Sequence, residues 1–535
     1  MIPRAIQIYC RYRLTSSKKN GTVVENFTVV IGSPSRSITH LFRVMDTPPS
    51  STATPNFARS VGRNTLIQFA GKIISTALGF ATSVVILRYL HPEGNGAYTT
   101  AMAYLGLCSV IADLGLYLIL IRDINKPGAN VERIVGNLLA LRWVSAAIIL
   151  FGGAAIVSFF GFTAQENMAV LIGTGSFVAI AATQLFVGVF QSKLAMQYVA
   201  GGELLGRAVL LLGTWLVVQR GGSLQTLMIV VVVSSISNFA FIWWAAKRYI
   251  RIRLYADWPY WKSTLRDTFP IAISIVLNLI YFRADTILLR TMQGAYDVGL
   301  YGAAYKVLEI LNTFPIMFVG LLLPALGAAF AIQDQETFQR IFRKGFTILL
   351  IGAIPLVVCG WMLAEPILVL LGGTEYAPAA PVLRILFFAV AALFFGSLSG
   401  HVITIIHRQR QMVWGYLTVA IIGLGLYLLL IPRWSLYGAA IGTLVTESIT
   451  AIIGYGMITR TAGFRLRIAG LGRIIGSALA LIMVTVVLAP FNRWVAAGAG
   501  ALVYAGVLVR TGVLSLDVLR GIVRTPSSSV TTLPE

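Results

Sequence analysis

The sequence predicts an all-α polytopic membrane protein with about fourteen transmembrane helices, in two six-helix lobes followed by two further helices. Three observations predict it. Apolar segments of roughly 18 to 25 residues recur along most of a 535-residue chain that is 57% hydrophobic and 12% charged, with a mean hydropathy of +0.81. Basic residues alternate between successive connections. Two stretches far apart in the chain share one pattern of Gly, Tyr and Arg. The net charge of +22 would point to nucleic acid in a soluble protein, but here the spacing of the cations carries the information.

The N-lobe, 64–250, holds spans at 64–88, 97–121, 134–158, 167–190, 199–219 and 223–246. A linker, 251–265, follows. The C-lobe, 266–460, holds spans at 268–290, 298–325, 341–363, 381–406, 411–431 and 434–458, and the segment 461–510 adds 468–489 and 491–510. At about 1.5 Å per residue each can cross a hydrocarbon core of about 30 Å, some with tilt. The even-numbered connections carry Arg122, Lys126, Arg133, Lys193, the cluster Lys247, Arg248, Arg251, Arg253, Lys262 and Arg266, then Arg340, Arg343, Lys344, Arg408, Arg410, Arg460, Arg465 and Arg467. The odd ones hold little beyond Arg88, Arg220, Arg290, Arg384, Arg433 and Arg493. By the positive-inside rule both termini and the even connections are cytoplasmic, in a multi-pass protein of the inner membrane.

Residues 1–63 are read as a cytoplasmic, disordered tail, with neither an apolar signal-peptide core nor a helical period. The Pro, Ser and Thr-rich stretch from Met45 to Ser60 is its lead-in, and Met45 is a candidate translational start. The tail 511–535 is likewise cytoplasmic. Cys10, Cys108 and Cys359 lie too far apart to read as a disulfide framework or a metal site, and are read as packing residues. No cofactor is indicated.

"ILRYLHPEGNGAYTTAMAYLGL" (86–107) and "LLRTMQGAYDVGLYGAAYKVLEI" (288–310) each carry an Arg at a helix end, a polar turn, Gly-x-Tyr (Gly96 and Tyr98; Gly299 and Tyr301) and a new apolar helix. Two copies of six spans enter the membrane in the same orientation, related by an axis along its normal. Two such lobes can rock about a central cavity. These stretches, with "IADLGL" (111–116) and "VLLGGTEYAPAAPVLRIL", resemble the oligosaccharide flippase (polysaccharide biosynthesis protein) family of the multidrug, oligosaccharidyl-lipid and polysaccharide exporter superfamily, over about residues 60–500. His91 stands where such proteins often have Gly, a difference with no chemical consequence expected. The resemblance implies fourteen helices in two lobes and export of undecaprenyl-diphosphate-linked oligosaccharides. Membrane lipids, and a polysaccharide polymerase or glycosyltransferases, are the further expected partners.

Ionisable residues inside the spans are costly and mark function or pairing. Lys72, Asp113 and Arg142 lie about 12 Å from the cytoplasmic ends of their helices, and Arg283, Asp285, Lys306 and Glu309 about 8 to 17 Å from the outer ends of theirs. Matched depths predict contacts of Lys72 with Asp113 and of Asp285 with Lys306. Aligned on Arg88 and Arg290, Arg283 and Lys306 fall opposite Ala81 and Ala103, so the repeat can be built without those cations. Arg283, Lys306, Lys72 and Arg142 are therefore the candidate substrate-binding residues, suited to the oxygens of a diphosphate. Asp113, Asp285 and Glu309 are the candidate structural ion-pair partners. Glu447, about 13 residues from either end of its span, is either a proton carrier or a neutral carboxyl bonded to a neighbouring helix. His401 reads as a packed polar residue.

An enzyme of lipid-linked sugar chemistry is disfavoured by the short connections, and the chain holds no phosphate loop, metal-ligand cluster or nucleophile motif. An ATP-driven pump falls on the same grounds. A multidrug cation exporter would favour an acidic or aromatic cavity, against the surplus of cations here. A lipid II flippase shares the carrier and the helix count.

Overall fold

The computed structural model describes residues 12–19, 22–29, 55–113, 115–193, 195–464, 468 and 470–513. Contacts divide the chain into two units, Met1–Ser60 and Val61–Glu535. In the first, β1 (Tyr12–Lys19) and β2 (Thr22–Val29) pair antiparallel with Lys19 opposite Thr22. Residues 20 and 21 lie outside the described residues. These two strands fall within the stretch 1–63 that the sequence reading took as a tail. The lead-in from 45 to 54, Arg465, Arg467 and the tail beyond 513 lie outside the described residues.

Among the described residues the second unit consists of helices and their connections, the first helix beginning within the last residues of the first unit. Its elements are α1 (Pro55–Asp113), α2 (Leu116–Ile124), α3 (Val131–Ala146), α4 (Gly152–Ile156), α5 (Ala164–Ser192), α6 (Gln197–Gln219), α7 (Leu224–Ala246), α8 (Trp258–Gln293), α9 (Ala295–Ala331), α10 (Gln335–Gly372), α11 (Ala380–Ile405), α12 (Gln409–Thr461), α13 (Leu471–Leu488) and α14 (Arg493–Arg510). A π turn, Ala147–Phe151, joins α3 to α4, so these two and the short 3-10 turn after them form one rod. Among the described residues ten helices are long and apolar enough to cross a membrane. Of these, α1 and α12 are each long enough for two of the predicted spans.

Both long rods break where the sequence places a turn. The break in α1 is at His91, with φ 56 and ψ 175, immediately before Pro92, whose ring excludes the helical conformation from the residue preceding it. That in α12 is at Ser435, φ 46 and ψ −128, shortly after Pro432. His91 sits in the left-handed region that glycine enters without strain. A glycine at this position would carry no such strain, a backbone difference that leaves the expectation of no chemical consequence untouched. Helix starts are capped in the ordinary way. Thr163 and Glu166 form a reciprocal capping box on α5, and Asn130, Asp334 and Asn492 cap α3, α10 and α14.

The buried apolar side chains separate the helices into groups. One core draws on α8 to α12, with Tyr301, Phe342, Tyr376 and Leu386 at its heart. Two smaller cores, around Phe186 and Leu138 and around Leu105 and Met228, draw on the helices from α1 to α7. A satellite cluster seats α13 and α14 on α10, where Tyr504 donates to the Ile351 carbonyl at 3.0 Å and Arg493 reaches Glu365 at 2.8 Å.

Candidate functional site

A cavity of about 520 Å³ lies between the two groups of helices. From α1, α5, α6 and α7 it takes Thr82, Asn95, Tyr98, Phe177, Arg207 and Asn238; from α8 and α9 it takes Arg283, Tyr305, Lys306 and Glu309. Its charged residues form two clusters, one on each side. On the second side Arg283 donates to Glu309 at 2.8 Å and Lys306 donates to the other carboxylate oxygen at 3.0 Å, with the Arg283 guanidinium 5.8 Å from the centre of the Tyr305 ring. On the first side Lys72 and Ser75 donate to Glu203 at 3.0 and 2.8 Å, and Arg207, one helical turn beyond Glu203, lies against Gly79. On the second side two cations and one carboxylate line the cavity, a surplus of one positive charge, whereas on the first side Arg207 and Glu203 balance and Lys72, an expected substrate-binding residue, lies outside the lining.

These pairings differ from those that depth alone predicts. Lys72 meets Glu203 in place of Asp113, and Lys306 meets Glu309 in place of Asp285. Asp113 is instead ion-paired with Arg142, which is fully buried and also donates to Gln184 at 2.6 Å. Arg142 therefore fastens α3 to α1 and α5 and does not line the cavity, contrary to its expected substrate role. Asp285 is not in an ion pair among the described residues: it accepts from the Tyr301 hydroxyl and the Thr286 backbone N–H, both at 2.6 Å. Thr443, which contacts the Tyr301 hydroxyl at 3.1 Å, stands one turn before Glu447 on α12, and Asp285 and Glu447 are both buried. The Nδ1 of His401 lies 2.8 Å from the Ser397 carbonyl of its own helix.

The sequence reading passed over Arg207 and Glu203. The signal was present: "GELLGR" sets a Glu and an Arg four apart in mid-span, an arrangement that an apolar helix rarely carries without use. Glu166 was also missed, because it reads only as the capping residue of α5.

One end of the cavity is closed by the repeated turns. A Cβ on Gly96 would lie 1.8 Å from the Ala295 carbonyl oxygen, and one on Gly299 would lie 1.7 Å from that of Pro92. Pro92 and Ala295 stand at the same sequence offset as Gly96 and Gly299, so the two copies cross each other about a local two-fold axis. Asn95 adds a bond to the Gly299 carbonyl at 2.9 Å. The helix-end arginines of the repeat each reach across: Arg88 donates to the Leu370 carbonyl at 2.8 Å, and Arg290 donates to both oxygens of Glu166 at 2.6 and 2.7 Å. His91 meets Glu375 at 2.8 Å beside them.

Residues 61–330 match the profile of the family described as polysaccharide biosynthesis protein. The chain belongs to that family. Residues 270–430 also match the profile of the related MatE family, which places the chain in the multidrug, oligosaccharidyl-lipid and polysaccharide exporter superfamily. It is a multi-pass membrane transporter of the flippase and exporter class, not an enzyme. The capsular polysaccharide biosynthesis protein CapF of Staphylococcus aureus is 23% identical over 398 residues, 74% of this chain and 98% of that protein. The succinoglycan biosynthesis transport protein ExoT of Rhizobium meliloti is 24% identical over 351 residues, 63% of this chain and 67% of that one. Among solved structures the fold is similar to the lipid II flippase MurJ in an inward closed conformation, with a TM-score of 0.70, 13% identity and 84% and 100% of the two chains covered. It is also similar to an inward-facing multidrug resistance MATE transporter, with a TM-score of 0.60 and 16% identity over 75% and 98% of the chains.

Proposed function

We propose that this family member moves lipid-diphosphate-linked oligosaccharide units across the cytoplasmic membrane for cell-surface polysaccharide synthesis, by ion-coupled alternating access. The two guanidinium groups that line the cavity from opposite sides, Arg207 and Arg283, carry this reading. A diphosphate joining a lipid to a sugar bears two negative charges, and the lining sets three cations, Arg207, Arg283 and Lys306, against two carboxylates, Glu203 and Glu309. Arg207 and Arg283 supply planar forks that match phosphate oxygens in pairs, and a low-dielectric cavity strengthens such charge-assisted bonds. Thr82, Asn95 and Asn238 line the first side with groups able to bond sugar hydroxyls, and Tyr98, Phe177 and Tyr305 offer ring faces. The names of CapF and ExoT, which concern capsule and succinoglycan biosynthesis, favour a surface polysaccharide as the end product.

With both termini cytoplasmic, the end closed by Gly96 and Gly299 faces outward and the cavity accepts its cargo from the inner leaflet. Glu447 is the proposed coupling group, exchanging an ion as the lobes rock. A lipid II precursor is the second reading, favoured by the likeness to MurJ and by the same diphosphate carrier. A cationic drug is disfavoured by the surplus of positive charge. The neighbouring enzymes on this reading are glycosyltransferases that build the unit and a polymerase that consumes it.

The test is a binding measurement on purified protein, by native mass spectrometry, with undecaprenyl diphosphate, undecaprenyl diphosphate bearing a short oligosaccharide, and a neutral glycolipid of equal chain length. The two diphosphates should bind and the neutral lipid should not. Equal retention of all three would overturn the assignment.

A further inference from the structure

The segment that joins the two groups of helices has two faces of opposite character. Its inner face is fastened to the helices before it. Ile250 is buried in the core around Phe186, and Ile252, Tyr260, Trp261 and Leu265 pack on that core. The Asp257 backbone N–H donates to Asn137 at 2.9 Å, Arg133 reaches the Asp257 carboxylate at 2.5 Å, Arg122 reaches Asp267 at 3.0 Å and the Tyr260 hydroxyl reaches Asp123 at 3.2 Å. Both carboxylates of the segment are thus taken by arginines from α2 and α3.

The outer face is left strongly basic. Lys247, Arg248, Arg251, Arg253, Lys262 and Arg266 are all exposed, and among the described residues none of the six forms an ion pair. Exposed apolar and aromatic side chains are interleaved with them: Trp244, Tyr249, Leu254, Trp258 and Phe269. The Arg248 guanidinium sits 4.1 Å over the Trp244 ring. Cations alternating with Trp and Tyr at the ends of two membrane-crossing helices match the headgroup layer, where indole and phenol rings settle at the interface and basic residues meet lipid phosphates.

We propose that this strap, residues 244–269, is a binding surface for anionic glycerophospholipids of the leaflet it lies on. The lipid phosphates supply the counter-charge that the protein itself withholds by spending Asp257 and Asp267 on α2 and α3. The surface is separate from the cavity and rests on charge, exposure and placement alone, so it stands or falls independently of the cargo. Because the strap is fastened to one group of helices and continues as α8 into the other, lipid held there anchors the hinge between them.

The experiment uses the full chain in nanodiscs of phosphatidylcholine alone or of phosphatidylcholine with phosphatidylglycerol, and compares hydrogen–deuterium exchange of peptides covering 247–267. Phosphatidylglycerol should slow exchange in these peptides. In parallel, native mass spectrometry counts retained phosphatidylglycerol for the parent protein, for a variant with Lys247→Gln, Arg248→Gln, Arg251→Gln and Arg253→Gln, and for Arg283→Gln. Retention should fall roughly tenfold or more in the strap variant and be unchanged in Arg283→Gln. The substituted side chains are exposed, so the melting temperature should not move. Exchange indifferent to lipid charge would overturn the proposal, and so would retention lost with Arg283→Gln but kept in the strap variant, which would seat the lipid in the cavity.

Discussion

Arg283 raises the question of what repays a guanidinium inside a membrane span, where insertion costs about 2.5 to 3.5 kcal/mol. Glu309 repays part of it in the empty protein, and a phosphate is proposed to do so in the loaded one. Arg283→Lys keeps the charge but loses the planar fork, so transport should weaken, and Arg283→Ala should nearly abolish it at normal protein abundance. Arg142 answers the same question differently. It is sealed against Asp113, so Asp113→Asn strands a buried cation and should cost about 3 to 5 kcal/mol, read as a lower melting temperature and reduced abundance. Its counterpart, Asp285→Asn, should be milder than a broken ion pair, since Lys306 is held by Glu309 and an amide oxygen can still accept from Tyr301. Glu447→Gln should preserve folding and cargo binding while uncoupling transport from an ion gradient. Unchanged gradient-driven transport would remove Glu447 from the mechanism.

At the scale of elements, the sequence was most legible where physics is local. Apolar length marks the spans, and the Gly-x-Tyr repeat marks the crossing at Gly96 and Gly299, since only a glycine admits a carbonyl so close. Partners of the intramembrane charges were not legible. Depth counted along a helix gives height, but pairing also needs the rotation of each helix about its axis, which only packing sets; hence Lys72 was assigned to Asp113 when Glu203 faces it. The pairing of β1 with β2 was not legible either, because that stretch was weighed only for helical period. Gly96→Ala should prevent the crossing from closing. A disulfide between Thr99→Cys and Gly302→Cys, whose positions face each other there, should form readily in the parent background and several-fold less with Gly96→Ala. Equal yields would mean that the crossing tolerates a methyl group and is no closure. His91→Gly relieves the left-handed strain at the cost of the Glu375 contact, and the melting temperature should rise or stay level.

At the scale of the whole molecule, the alternation of charge predicts the topology, and the cavity is proposed to do the work. An impermeant thiol reagent applied to intact cells should leave a cysteine at position 255, in the linker, unlabelled; strong labelling would invert the topology and with it the direction of access. On the proposed function, Arg207 and Arg283 grip one diphosphate from opposite sides of the cavity. This grip is tested most directly in sealed vesicles containing the purified protein and a fluorescent lipid-diphosphate oligosaccharide, by following its appearance in the opposite leaflet for the parent chain, Arg207→Gln, Arg283→Gln and the double variant. Each single variant should slow translocation at least tenfold while leaving the protein folded, and the double variant should be scarcely worse than either, because both residues act on the same phosphates. Translocation at the parent rate in Arg207→Gln and Arg283→Gln alike would contradict the account.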